Sequence, residues 1–252
     1  MKEIIEGLNL PKQILDKTEK FMSKLLGPSI QEYGELFADN IRHKRLKNQL
    51  KIFNKTRKLF EKSGLEPREL NLKILVPLLE KSSIESDELL QDKWANLVAN
   101  IATNPETGLE SKLINTLSSL SFLEAKILDF IYIQFLWVRT KKYEQDLDKK
   151  WHKWNDENDV PIDWVLIQFG DVKKKFELTE EFAKIYIDNL ESLGVIRFQE
   201  PEIEIDKGYP SGEVDGNSVD IELDITADYI RSDNFYLTTY GKYFIKQCKT
   251  KY

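Results

Sequence analysis

The sequence predicts a mainly α protein with a small β component, arranged as an N-terminal helical domain over residues 1–115 and a C-terminal winged-helix-like domain over residues 116–252. Three observations carry that expectation. Apolar residues recur at spacings of three and four through long stretches of the first half, the period of a helix with one buried face. Between Thr179 and Phe198 a capped helical pattern passes through Leu193-Gly194 into β-rich Val195-Ile196-Arg197-Phe198, a helix feeding a strand. Phe235-Tyr236-Leu237 then offers a partner strand, with the intervening segment as a wing and residues 241–249 as a closing helix.

The elements follow in order. Pro11 to Leu26 places Ile14, Leu15, Phe21, Met22, Leu25 and Leu26 on one stripe before Gly27-Pro28 ends it. Its mixed lysine and acid polar face favours packing on neighbours over lying in a membrane interface. Gln31 to Ser63 reads as one long basic helix closed by Gly64. Its buried side is Leu46, Leu50, Phe53 and Phe60, widened by Ile41, Ile52 and Leu59. Leu70 to Lys81 is a short apolar helix in which Pro77 forces an irregularity or a late start. Ser86 is expected to cap the next helix, whose apolar face is Leu90, Trp94, Leu97, Val98 and Ile101 and whose end is Asn104-Pro105.

From Leu120 to Val138 the chain is apolar but carries Glu124, Lys126 and Asp129, which are expensive inside a bilayer, so it reads as a buried helix. A charged insert over residues 141–160 follows, with Trp151 and Trp154 inside it and Trp164 just beyond. These aromatics suit a cover over the core, a protein interface or stacking on unpaired bases. A helical piece begins near Trp164, and Thr179 caps another with Phe182, Ile185, Tyr186, Leu190 and Leu193 as its apolar set.

Composition narrows the function classes. A chain of 252 residues with 41% hydrophobic and 32% charged content can bury a real core. The one cysteine, Cys248, permits no intrachain disulfide, and the first residues lack a secretory pattern, so a cytoplasmic setting is expected. Residues 1–115 hold 19 basic and 17 acidic side chains, a balance of +2, and residues 116–252 hold 18 and 26, a balance of −8. The wing, residues 199–235, has eleven acids against Lys207 and Arg231. Such a field repels phosphate, and Glu180, Glu181, Asp188 and Glu191 outnumber Lys184 on the helix before it. Nucleic acid is therefore expected only at the N-terminal half, and the winged-helix-like domain is expected to bind protein or to be structural.

The candidate binding residues are Lys44, Lys47, Lys51, Lys55, Lys58 and Lys62, which a helix gathers on one face. A solvated face is the plain reading, since a helix packed by one side needs a soluble other side. Against it, Arg42, Arg45 and Arg57 add charge, while the C-terminal two-thirds of the helix has only Glu61 as an acid. Asn96 and Asn100 lie four apart near Asp92 and Trp94. Asparagine is a poor interior helix residue unless its amide bonds a neighbour, so the pair reads as clamps more than as a ligand site.

Catalytic signatures are missing. His43, His152 and Cys248 give no metal-ligand spacing, no glycine-rich phosphate loop occurs, and no metal or cofactor is expected. Glu202, Glu204, Asp206, Asp220, Glu222 and Asp224 alternate with apolar residues, as in a half-solvated hairpin, and a nuclease reading lacks a carboxylate-x-lysine arrangement among these acids. The protein is expected not to be an enzyme.

Three segments resemble the Abi-alpha (abortive infection alpha) family of bacterial proteins: residues 41–51, IRHKRLKNQLK; residues 76–80, VPLLE; and residues 90–100, LQDKWANLVAN. A fourth, residues 237–244, LTTYGKYF, contains Gly241 and is similar to the family's C-terminal pattern, with Cys248 beyond it. The resemblance implies a role in antiphage defence of the abortive-infection type but supplies no reaction, and it gives Asp92, Trp94, Asn96, Asn100 and Gly241 as motif residues of structural character. The insert and the acidic wing depart from the family pattern. The expected function is macromolecular binding, first of all to a protein; a homo-oligomer fits the sequence as well. The alternatives are a nucleic-acid-binding protein using the basic helix 42–62 and a membrane-active effector using the Pro11 to Leu26 helix, although a membrane partner is disfavoured.

Overall fold

The computed structural model of the protein describes residues 16–18, 20–21, 24, 40–104, 107–145, 165–200, 202–207, 211–215, 218–222, 225–230 and 232–249; side chains are described outside 40–43, 142–145 and 202–230. The chain forms two compact units, Met1–Asp129 with Tyr240–Tyr252, and Phe130–Thr239. It is mainly helical, with a small three-stranded sheet.

In the first unit, α1 (Asn40–Ser63) packs on α2 (Leu72–Ser83) and α3 (Glu88–Thr103), and α2 and α3 also meet α4 (Glu110–Ser118). The apolar stripe of α1 is buried as its spacing predicts, with Leu50, Ile52, Phe53 and Phe60 in the core. Each such side chain contributes about 1.5–3 kcal/mol relative to exposure. Gly64 closes α1 at φ +68 and donates to the Phe60 carbonyl at 2.9 Å, an αL stop that a side chain would strain. The N-terminal part of the expected Gln31–Ser63 helix, residues 31–39, lies outside the described residues.

Two details differ from the sequence reading. Helix α2 starts at Leu72 and runs through Pro77, while Asn71 caps it by accepting from the Lys73 N–H at 3.0 Å. The cap of α3 is Asp87 and not Ser86: its carboxylate accepts from the Leu90 N–H at 3.1 Å, and Glu85 accepts from the Asp87 N–H at 2.8 Å. Aspartate at that position also places negative charge on the positive end of the helix.

Helix α5 (Phe122–Gln145) begins in the first unit, and its residues from Phe130 onward count with the second. Ser121 and Glu124 fix its start reciprocally, the Ser121 N–H donating to Glu124 Oε2 at 2.7 Å and the Glu124 N–H to Ser121 Oγ at 3.3 Å. Residues 141–145 of the expected insert continue this helix; Trp151, Trp154 and Trp164 lie outside the described residues.

In the second unit, β1 (Ile167–Gln168) precedes α6 (Phe169–Lys175), and α7 (Glu180–Ser192) leads into β2 (Ile196–Phe198). Thr179 caps α7 as read, accepting from the Phe182 N–H at 3.4 Å. Gly194, at φ +73, ends the turn after it, with the Gly194 N–H on Glu191 O at 2.8 Å and the Val195 N–H on Leu190 O at 3.2 Å, the two bonds of a Schellman stop. Strand β7 (Asn234–Leu237) lies between β1 and β2, antiparallel to both, so that Phe235 faces Ile167 on one side and Phe198 on the other. The pairing of 196–198 with 235–237 is the one the sequence predicted; β1 is an added strand.

The segment between them is not a simple hairpin of two strands. β3 (Glu202–Lys207) pairs with β6 (Ile225–Ile230), and β4 (Ser211–Asp215) pairs with β5 (Ser218–Glu222). The acids at 202, 204 and 206 and those at 220 and 222 are thereby on strands that do not pair with each other. Finally α8 (Thr239–Gln247), expected to close the C-terminal domain, belongs from Tyr240 onward to the first unit, and the division falls after Asp129, where residue 115 was expected.

Candidate functional site

The lysine face of α1 is largely as the spacing predicts. Lys44, Lys47, Lys51, Lys58 and Lys62 are exposed, and Lys44, Lys47, Lys51 and Lys58 form no ion pair with the described residues. Lys55 is different. It is half-buried and reaches α3, with Nζ 2.6 Å from Asp92 Oδ1, 3.8 Å from Glu88 Oε1 and 3.4 Å from the Glu88 carbonyl. The charge compensation missing along α1 is thus supplied by the neighbouring helix at one position and by Arg57–Glu61 at another. Two sequence-predicted groups, the ridge and the Asp92 motif, meet at Lys55.

The polar residues of the 41–51 segment do structural work. Arg45 Nε donates to Ser83 Oγ at 2.8 Å, Asn48 Nδ2 to the Ser83 carbonyl at 3.0 Å, and Gln49 Nε2 to the Leu79 carbonyl at 2.9 Å. Arg45 and Asn48 address the last turn of α2, where carbonyls lack helical partners and the dipole favours a cation, and Gln49 bonds the residue just before that turn. Asn48 and Gln49 are buried, so these bonds also satisfy their own amides.

The 90–100 segment is similarly committed. Trp94 is 1% exposed, and Gln91 Nε2 donates to the Glu85 carbonyl at 3.0 Å. Asn100 Nδ2 donates to the Gln247 carbonyl at 2.7 Å, tying α3 to α8. Asn96 Nδ2 bonds the Asp92 carbonyl one turn back in its own helix at 2.9 Å. Gly241 is buried on α8, where Tyr240 meets Thr116 Oγ1 at 2.6 Å and carries Lys112 Nζ 3.8 Å from its ring centre.

Sequence reasoning missed one part-buried pair. Lys93, on α3, places Nζ 2.7 and 2.8 Å from the two oxygens of Asp129, the acid that interrupts the apolar run of α5. Cys248 is buried, and burial pushes its thiol up to about 12, with Lys93 lowering it and Asp129 raising it by smaller amounts. A thiol so protonated is not a nucleophile at neutral pH. Among the described residues no group of three or more histidine, cysteine, aspartate or glutamate side chains is placed to hold a metal ion.

Helix α7 departs from the expected face. Its buried stripe is Ala183, Ile187 and Leu190, while Phe182 is 53% and Ile185 52% exposed. A helical wheel puts Phe182 and Ile185 on the outward side with Glu181, Asp188 and Asn189. The buried stripe follows the spacing i, i+4, i+7 from Ala183, a small residue that carries little hydrophobic signal in the sequence. No helix among the described residues is long and apolar enough to cross a membrane.

No curated protein and no solved structure matches the chain. The abortive infection alpha family does, over residues 42–248, a span that takes in α1 from its third residue, the clamped end of α2, the whole of α3 and of α8, and ends at Cys248. The protein belongs to the abortive infection alpha family, whose name suggests a part in abortive-infection defence.

Proposed function

We propose that the protein serves abortive-infection defence as a binding protein and not as an enzyme, engaging a protein partner through the outward face of α7. The observation that carries this is the pair of large apolar side chains, Phe182 and Ile185, each about half exposed and set among Glu181 and Asp188. Apolar residues left outside at this level, rimmed by charge, suit a protein contact. The acids disfavour a phosphate backbone. The order of α6, α7 and the β2–β7 pair with a long ribbon between them supports a winged-helix-like unit, in which α7 would be the presented helix. The test is a phage challenge of cells carrying F182A/I185A. Protection should be lost while the melting temperature stays within a few degrees of the parent; full protection would refute this face as the interface.

The ridge favours a second reading. Lys44, Lys47, Lys51 and Lys58 present cations without ion-pair partners among the described residues, and such a stripe fits phosphate. A gel shift with duplex DNA and RNA at several salt concentrations separates the two: affinity falling steeply with salt and abolished by K44E/K51E/K58E would make nucleic acid the partner. Lys55 is left intact in that variant because it pairs with Asp92.

A further inference from the structure

A cavity of about 440 Å³ lies in the first unit, away from the lysine ridge, lined by Lys17, Lys20, Lys24 and Arg57 with Phe21 and Phe60 among its apolar walls. Its volume suits a small organic ligand. The charges do not balance. Lys24 is matched by Glu66 at 2.7 Å and Arg57 by Glu61, whereas Lys17 and Lys20 make no ion pair with the described residues. Arg57, 11% exposed along its side chain, is held within α1, with Nη1 on Glu61 and Nη2 donating to Asn54 Oδ1 at 2.9 Å, so it adds charge to the wall more than free donors. Phe21 and Phe60 pack together with ring centres 5.4 Å apart, forming an aromatic wall next to the cations.

We propose that this cavity binds a soluble organic phosphate of about mononucleotide size. Lys17 and Lys20, which form no ion pair with the described residues, attract the negative charge of a phosphate group. Lysine ammoniums act as point charges on phosphate, and the Arg57 guanidinium adds to the positive field beside them. The aromatic and aliphatic walls, with Leu65 and Pro67 beside Phe21 and Phe60, receive the body of the ligand. Inorganic phosphate would satisfy the cations alone and leave those walls unused.

The probe is a fluorescent N-methylanthraniloyl ATP, titrated into the full chain and competed with ATP and with inorganic phosphate. Saturable binding is expected, reversed by ATP at concentrations at least tenfold below those needed with inorganic phosphate. K17E/K20E, two exposed positions whose reversal leaves the described ion pairs intact, should raise Kd at least tenfold with an unchanged melting temperature. K44E/K51E, the same charge change on the ridge, should leave Kd within about twofold. Equal loss in both variants would reduce the effect to general attraction by lysine and overturn the site. Equal competition by inorganic phosphate would overturn the organic ligand, and binding confined to phosphatidylglycerol vesicles would overturn a soluble one.

Discussion

Helices α3 and α7 use their side chains in opposite ways. In α3, eleven of sixteen residues are buried, and these include the polar Gln91, Lys93 and Asn100. In α7 only Ala183, Ile187 and Leu190 of thirteen are buried, and the large apolar Phe182 and Ile185 remain outside. The first is a central helix whose polar groups are consumed by internal bonds. The second lies on the surface and keeps apolar area in reserve. Trp94 and Asn100 on α3 are therefore engaged inside the first unit, whereas Phe182 and Ile185 on α7 remain about half exposed and are the better place to look for recognition.

The contrast can be broken from the α3 side first. Trp94→Ala should destabilise the protein by about 3–5 kcal/mol, the range for removing a large aromatic side chain from a core, measured by urea unfolding; a change below about 0.5 kcal/mol would mean that the face is not packed. Asn100→Ala removes the donor to the Gln247 carbonyl and should cost about 1–3 kcal/mol, because a buried acceptor is left without its partner. If it is neutral, α3 and α8 are held by apolar contact alone.

On α7 the sharper test uses alanine as the core residue. Ala183→Leu should destabilise by about 1–3 kcal/mol through overpacking, since Ala183 is fully buried. Ile185→Ala, although it deletes a larger side chain, should move stability by no more than about 0.5 kcal/mol. The reverse ranking in thermal melts would restore the face that periodicity first suggested and remove the basis for a protein contact at Phe182 and Ile185.

How much was legible depended on how wide each apolar stripe is. In α1 and α3 several large residues share one side, so leucine, phenylalanine and tryptophan spacing sufficed to identify the core. In α7 a narrow stripe begins with alanine, which carries little hydrophobic signal, and the reading drifted to Phe182 and Ile185. Asn100 was readable as a clamp because its helix propensity is poor; its acceptor, 147 residues away, was not. Shorter separations also hid the Lys93–Asp129 pair, 36 residues apart, and the cavity between Lys17, Lys20 and Arg57. Alternation marked strands at 202–206 and 219–225, but a period of two gives every strand the same pattern and does not choose partners, so the β3–β6 and β4–β5 pairings were beyond it. The start of α5 is written in Ser121-Phe122-Leu123-Glu124, whose first and last residues exchange the two bonds of a capping box. The cations facing the cavity belong to two elements and leave no local signature on either.

The bond from Asn100 to Gln247 also sets a clock. Because residues from Tyr240 onward complete the unit begun by Met1–Asp129, a ribosome must make the entire intervening unit before that amide can meet its acceptor. Across 147 residues, at about 5–20 residues per second, the wait is roughly 7–30 s. During it, α3 has its own apolar neighbours but lacks the strand of chain that accepts from Asn100. A nascent polypeptide halted anywhere before α8 is therefore expected to be more protease-sensitive in its first unit than the finished molecule, which limited proteolysis of stalled ribosome complexes would measure directly. Emergence of α8, and not merely passage of the N-terminal helices out of the ribosome, is then the event that seals the first unit.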